Sequence, residues 1–343
     1  MKAAIITSEG TPVASNVTIV EDWNDITPSA REVVVKTEAS ALNHLDLWVG
    51  IGMPGLDLTF PRVSGSDGCG IVTAIGEHVD ESWLGKRVLL NAAVRQSDTL
   101  LPNAFPVPDD IRMIGEHDNG TNAEYFSAPV SNVLDVQDAD PVEAAAFGLA
   151  HLTAWRMLIT RAKLQAGQIV LITGIGGGAA LAAFNICKHF GCRTIVTSRH
   201  QWKLDKATEL GANDTVLDTG EDWSREVRGL TGKRGVDICV DSVGGSLHFP
   251  IIKSLARGGT LVTCGCTAGA SPKTDLARIF WNQLNIVGST MGDMHEFRSV
   301  ISLFKSGMKP VIDSVHAAAE AQNAFARLES GEHFGKVVIN WKN

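Results

Sequence analysis

Residues 168–185, QIVLITGIGGGAALAAFN, run from an unbroken apolar stretch into a glycine cluster and then into small helix-forming residues. Ile169, Val170, Leu171 and Ile172 show no polar alternation, as in a parallel strand covered on both faces, so the stretch predicts strand, tight turn and helix. Beyond it, RTIVT, KLDKATELGA, DTVLD, SREVRGL, VDICV, SLHFPIIKSLARG, GTLVTCG and LNIVGST alternate at βαβ spacing. Six strands in that rhythm imply a parallel sheet with right-handed crossovers. The upstream half has no helical period. KAAIIT, NVTIV, EVVVKTEAS, GCGIVTAIG and KRVLL are strand-like and separated by Gly, Pro, Asp and Asn, which predicts an antiparallel barrel or sandwich. Residues 42–49 (LNHLDLWV) break this pattern as a short helix or turn, and 91–122, with prolines at 102, 106 and 108, read as a long irregular loop. Pro141 opens a helical stretch whose apolar residues recur at three and four. After Met294 come a helix, a strand, a second helix and the strand KVVINW, with no seventh βα unit. The expected division is therefore a β-rich domain over 1–150, an alternating domain over 151–291, and a return to the first domain over 292–343.

At 343 residues the chain exceeds what one core comfortably holds, in agreement with two domains. With 44% hydrophobic and 20% charged residues it has the composition of a globular protein, and a net charge of −8 leaves no basic footprint for nucleic acid. The six cysteines fall mostly in apolar strands or helices, and no apolar run approaches the length that crosses a bilayer. Reduced thiols, a cytoplasmic location and no membrane partner are the expectation.

Gly174, Gly176, Gly177 and Gly178 let the backbone turn sharply and approach a ligand, and Ala179, with Ala180, Ala182 and Ala183, lets the following helix pack close to the sheet. A pyrophosphate suits that start, where unpaired N–H groups and the helix dipole attract anions; a plain close-packing turn is the alternative. About 20 residues on, RTIVT ends in Ser198 and Arg199, with Lys203 one helical turn later. A hydroxyl and two cations, without a carboxylate, suit a 2′-phosphate and make NADP(H) the expected cofactor, against a solvated basic helix start. Val243 and Gly265 follow the ends of parallel strands, where ligands bind, so both are candidate cofactor contacts.

Asn43-x-x-Asp46, the Gly65-Ser66-Asp67-Gly68 and Gly70 cluster leading into IVTAIG, LTAW at 152–155, residues 173–180 and FGKVVI at 334–339 together resemble the medium-chain dehydrogenase/reductase superfamily. The resemblance covers essentially the whole chain. It implies an α/β protein with a GroES-like β-rich catalytic domain and a Rossmann doubly wound parallel sheet domain. It also implies the roles of several residues. The positions that hold catalytic zinc in metal-dependent members carry Asn43, Ser66 and Leu149, and Asp67 stands where those members keep a glutamate. None of the first three is a usual zinc ligand, and the 91–122 loop, where a structural zinc would need thiolates, has no cysteine. No metal is expected. The zinc-independent quinone oxidoreductase-like branch resembles the chain in its Asn43-x-x-Asp46 pattern, implying an enzyme that transfers hydride from NADPH to a quinone or α,β-unsaturated carbonyl. Asn43 would orient the substrate oxygen or the nicotinamide, and Asp46 would hold Asn43 or relay a proton; helix-cap or turn roles are the alternatives. By the same resemblance His44 takes the place of a cation near the pyrophosphate, Lys336 that of a basic cofactor-binding side chain from the C-terminal strand, with ordinary surface groups as the alternative for both, and Thr153 lies beside the nicotinamide. Trp48, Phe60 and Trp281 are candidates to line an apolar pocket, and Tyr125 is a candidate proton donor. An alcohol dehydrogenase-like protein with degenerate zinc sites, and a non-catalytic NADPH-binding sensor, are the competing readings. The small-molecule substrate is joined by one expected partner, a second copy: the apolar last strand of the parallel sheet would present an edge that a homodimer or higher homo-oligomer covers.

Overall fold

The computed structural model describes residues 1–53, 55–95 and 111–342. Among the described residues of the first part are the strands β1 (Ala3–Ile6), β2 (Val17–Val20), β3 (Glu32–Ala41), β4 (Arg62–Val63), β5 (Gly68–Ile75), β6 (Arg87–Leu90), β7 (Ala93–Arg95), β8 (Ile111–Met113), β9 (Tyr125–Pro129) and β10 (Val133–Asp135). Helix α1 (His44–Ile51) follows β3, and α2 (Pro141–Trp155) follows β10. Strand β3 is the organising strand. It pairs antiparallel with β5 on one side and carries β9 and later the C-terminal strand on the other, so its alternate and intervening positions are both largely buried. Helix α1 starts where Asn43 is still extended and ends at Gly52, whose φ of +95° an L side chain rarely adopts. The region 91–122 departs from the irregular loop expected of it. Its described residues include the antiparallel pair β7 and β8, three residues each, too short for period-two alternation to show in sequence. Residues 96–110 of that loop lie outside the described residues.

The alternating region builds β11 (Ile169–Ile172), α3 (Gly178–His189), β12 (Arg193–Ser198), α4 (Gln201–Glu209), β13 (Asp214–Leu217), α5 (Ser224–Leu230), β14 (Val236–Asp241), α6 (His248–Ser254), β15 (Leu255–Thr263), α7 (Leu276–Trp281) and β16 (Asn285–Gly288). All pairings are parallel, in the order β13-β12-β11-β14-β15-β16. That order reverses between β11 and β14, which is where open α/β sheets bind ligands, beyond the carboxyl ends of the strands. Leu171, Ile195, Val216, Ile251 and Leu261 are almost wholly buried in one cluster of this sheet and its helices.

Helix α8 (Met294–Lys305), β17 (Ile312–Ala317), α9 (Ala321–Glu329) and β18 (Lys336–Asn340) complete the chain. Strand β18 runs antiparallel to β3 and parallel to β17. Val337, Ile339 and Trp341 from this tail join Ile6, Leu42, Leu47, Val49 and Phe325 in one core. Truncating Phe325 there to Ala would cost on the order of 3–5 kcal/mol, because a close-packed site collapses only partly. The chain divides into two compact units, Met1–Ala150 with Gly292–Asn343, and His151–Met291. The first is a GroES-like β-rich unit and the second a Rossmann-like unit with a six-stranded parallel sheet. Among the described residues no helix is long and apolar enough to cross a membrane.

Candidate active site

In the Rossmann-like unit the glycine turn sits at the carboxyl end of β11. Gly174 (φ +62°) and Gly176 (φ +121°) adopt conformations that favour glycine, and a side chain at Gly174 would press on Val243. Gly177 is the extended N-cap of α3, no side chain caps that end, and the space beside Gly177 is open for 4 Å. Gly178 and Ala179 are the first two residues of α3, so their N–H groups belong to the uncapped turn. The residues therefore fit a dinucleotide pyrophosphate. Asp241, at the end of β14, locks the turn. It accepts the Thr173 hydroxyl at 2.5 Å and the backbone N–H groups of Val243 and Gly244 at 3.2 and 2.9 Å. The one local signal of this role is an acid closing the apolar run VDICVD. Gly265 follows β15 with its would-be side-chain position against the Ser242 carbonyl.

At the end of β12, Ser198 is buried and its Oγ accepts the His200 N–H at 3.1 Å, leaving its hydroxyl proton to donate. Arg199 is exposed. Lys203 is mostly buried, with Nζ 5.2 Å from the centre of the Trp202 ring, so its ammonium is engaged by an indole face as well as being close to Ser198 in sequence. Thr153 is buried, its hydroxyl 4.0 Å from the sulfur of Met291.

The GroES-like unit carries a buried polar constellation. Asn43 Nδ2 donates to Asp67 Oδ2 at 2.9 Å and to the Ala41 carbonyl at 3.3 Å, while its Oδ1 accepts Lys336 Nζ at 2.5 Å. Lys336 also pairs with Asp67 Oδ2 at 3.0 Å, the two side chains being 4% and 0% exposed. The second Asp67 oxygen accepts the backbone N–H of Leu149 at 2.6 Å. Lys336, expected to serve the cofactor, thus engages Asn43 and Asp67. The two residues of the ion pair lie 269 positions apart, and nothing local announces it.

Asp46 is buried and closes the capping box by accepting the Asn43 N–H at 2.7 Å, and its other oxygen accepts Asn122 Nδ2 at 3.4 Å. Asn122 in turn receives Ser40, which receives the Trp341 indole N–H. Burial pushes the Asp46 carboxyl up to about 6, against the lowering pull of the Asn43 N–H, the Ser64 hydroxyl and the Lys336 charge. With both oxygens inside the protein, Asp46 positions Asn43. His44, the first residue of α1, is exposed and meets Trp48 edge-on at 5.3 Å. Phe60 packs against the core shared by Leu47 and Phe325, whereas Trp281 stands 70% exposed on α7. Tyr125 lines a cavity of about 580 Å³ with Trp23, Arg112 and Asp118, apart from the Asn43 constellation.

Zinc does not fit these residues. Ser66 spends its hydroxyl on the Ile114 carbonyl at 2.9 Å, Leu149 offers no donor atom from its side chain, and Asn43 is held by an ammonium and a carboxylate. Among the described residues no group of three His, Cys, Asp or Glu is arranged to hold a metal ion.

Residues 29–138 match the alcohol dehydrogenase GroES-like domain family, and residues 178–306 match the zinc-binding dehydrogenase family. The chain is 31% identical to the zinc-type alcohol dehydrogenase-like protein YogA of Leptosphaeria maculans, over 91% of each protein. It is 23% identical to the quinone oxidoreductase of Homo sapiens, over 91% of this chain and 90% of that one. The crystal structure of an NAD-dependent alcohol dehydrogenase superposes with a TM-score of 0.92 at 34% identity, covering 100% of both chains. Glycine turn, six-stranded sheet, GroES-like unit and these full-length relatives agree, and the chain belongs to the medium-chain dehydrogenase/reductase superfamily of oxidoreductases.

Proposed function

We propose that this protein is an NADPH-dependent reductase of the quinone oxidoreductase-like branch, acting on a quinone or α,β-unsaturated carbonyl without a metal ion. One observation carries the reading: the superfamily's catalytic zinc positions hold Asn43, Ser66 and Leu149, and a buried Lys336–Asp67 pair is bonded to Asn43. Without a Lewis acid an isolated ketone is hard to polarise, whereas a conjugated acceptor spreads the incoming charge onto an oxygen that hydrogen-bond donors can hold.

The glycine turn and the α3 N-terminus would hold the pyrophosphate, Ser198 and Arg199, with Lys203 behind them, would receive the 2′-phosphate, Thr153 would lie beside the nicotinamide, and Val243 and Gly265 would touch the cofactor. The reduced nicotinamide, when bound, supplies the hydride. Asp46 fixes the backbone of Asn43, and the Asn43–Asp67–Lys336 constellation serves the substrate oxygen.

The test is oxidation of NADPH and of NADH against a panel of quinones, enones, aldehydes and simple ketones, with elemental analysis of the same preparation. Activity should be confined to quinones or enones, should favour NADPH, and should survive chelation with zinc well below one per chain. The resemblance to an NAD-dependent alcohol dehydrogenase favours a second reading, alcohol–aldehyde interconversion with NAD(H). Stoichiometric zinc with aldehyde turnover would establish that reading and exclude the first.

A further inference from the structure

Hydrogen-bond capacity within the constellation is unevenly spent. Asn43 has two amide N–H bonds, and they point at Asp67 Oδ2 and the Ala41 carbonyl. Ser66 has one hydroxyl proton, given to Ile114. Asp67 accepts from Leu149, Asn43 and Lys336 and has no proton to give. Asp46, when ionised, only accepts. The Lys336 ammonium has three N–H bonds and spends two, on Asn43 Oδ1 and Asp67 Oδ2. Among the described residues one N–H of Lys336 is therefore the unspent donor of the group, and it carries a positive charge on a side chain that is only 4% exposed.

Resting on the reductase reading above, we propose that the Lys336 ammonium is the catalytic electrophile of this enzyme, taking by its third N–H the substrate oxygen that the superfamily's metal-dependent members present to zinc. Asn43 then acts as the residue that aims it. In an enone the β-carbon accepts a hydride, with its electron pair, from the reduced nicotinamide, which is thereby oxidised. The C=C pair moves into the bond between the α-carbon and the carbonyl carbon, and the carbonyl pair moves onto oxygen. Lys336 keeps its proton and holds that oxyanion by a charge-assisted hydrogen bond; water then protonates the α-carbon as the carbonyl re-forms. Such donors, aimed at an oxygen whose charge develops only in the transition state, act mainly on kcat. The neighbouring Asp67 keeps the ammonium in place and offsets its burial, with the Leu149 N–H anchoring the carboxylate.

The test compares the intact enzyme with Lys336→Met/Asp67→Asn, which removes both buried charges together, and with Lys336→Gln, which keeps an N–H donor without charge. Melting temperature, NADPH dissociation constant from nicotinamide fluorescence, and kcat on the best acceptor are measured for each. We expect kcat to fall a hundredfold or more in the double variant and at least tenfold in Lys336→Gln. The NADPH dissociation constant should stay within threefold in both. If the double variant does not fold, Lys336→Gln decides by the same ratio. An unchanged kcat with NADPH binding weakened tenfold or more overturns the proposal and makes Lys336 a pyrophosphate contact. An unchanged kcat with unchanged binding makes the pair a packing feature and overturns it too. A wild-type enzyme that reduces no quinone or enone overturns the reductase reading, and this inference with it, so the two failures are told apart by the wild-type assay.

Discussion

Asp46 shows how one side chain trades stability for position. Its carboxyl titrates near 4 in an unfolded chain and at about 6 in the fold, because burial penalises the charged form. Between those values the native state keeps a proton that the unfolded chain has lost, so stability falls as pH rises through the window. The contribution is fully present below about pH 4 and gone above about pH 6, and the gap corresponds to roughly 3 kcal/mol as an upper bound. Asp46→Asn should lack this slope: melting temperatures of wild type and variant, followed from pH 4.5 to 7.5, should diverge with pH. Parallel curves would show that Asp46 is solvated or differently paired. Cofactor choice also belongs to single residues. Arg199 is the exposed cation beside Ser198, while Lys203 lies largely buried against Trp202. One charge-assisted bond, partly screened, is worth about 1.5 kcal/mol, so Arg199→Ala should weaken NADPH roughly tenfold and leave NADH nearly unchanged. Equal weakening of both cofactors, measured by fluorescence titration, would remove Arg199 from the 2′-phosphate site.

The element that delivers Lys336 is the turn from α9 into β18. Gly335 sits at φ +123°, and a Cβ there would come within 2.7 Å of the Val311 carbonyl. Asp313, on β17, accepts the Phe334 N–H at 2.9 Å and two bonds from Arg327 on α9, each 2.8 Å. Burial alone would raise the Asp313 carboxyl, yet Arg327 and the Phe334 N–H outweigh it and hold it down to about 2. Being depressed in the fold, this carboxylate stabilises the turn above about pH 4 and loses that contribution only as pH falls toward 2. Gly335→Ala forces either a strained backbone or a shift of β17, and should cost on the order of 1–3 kcal/mol. Because β18 starts at Lys336, the same change should also lower kcat; a melting curve and an acceptor assay on one preparation check both effects. The closing FGKVVI marked the strand, but the bond from Phe334 to Asp313 depends on β17 lying alongside.

At the scale of the whole molecule, the parallel sheet ends on β16, which among the described residues pairs with β15 alone. The helix before it exposes Leu276, Phe280 and Trp281, each about 70% accessible, and β16 adds Ile286 at 45%. An open edge flanked by large apolar side chains is the kind of surface that a second copy covers. We expect a homodimer or higher homo-oligomer by sedimentation, and Trp281→Ser/Ile286→Lys should shift it toward monomer with the fold retained. A wild-type protein that sediments as a monomer at micromolar concentration would sink the expectation.

The sequence by itself determined the fold class and the nucleotide turn. Hydrophobic period, glycine clusters and βαβ spacing are local, and each residue of the turn lies within a few positions of its neighbours. Through the family resemblance it also marked Asn43 and Asp46 in one short motif and Asp67 in a second. Only the tertiary structure decided what those residues do. Lys336 reaches Asn43 because β18 pairs with β3, a contact spanning almost the whole chain, and Asp46 is buried because Asn122 and Ser64 close over it. Lone residues such as Asp241 and Leu149 became part of a site through a side-chain carboxylate or a backbone N–H whose direction no local pattern encodes. Long-range pairing and burial, set by packing rather than by period, turned a set of polar substitutions into one charged, partly unspent donor.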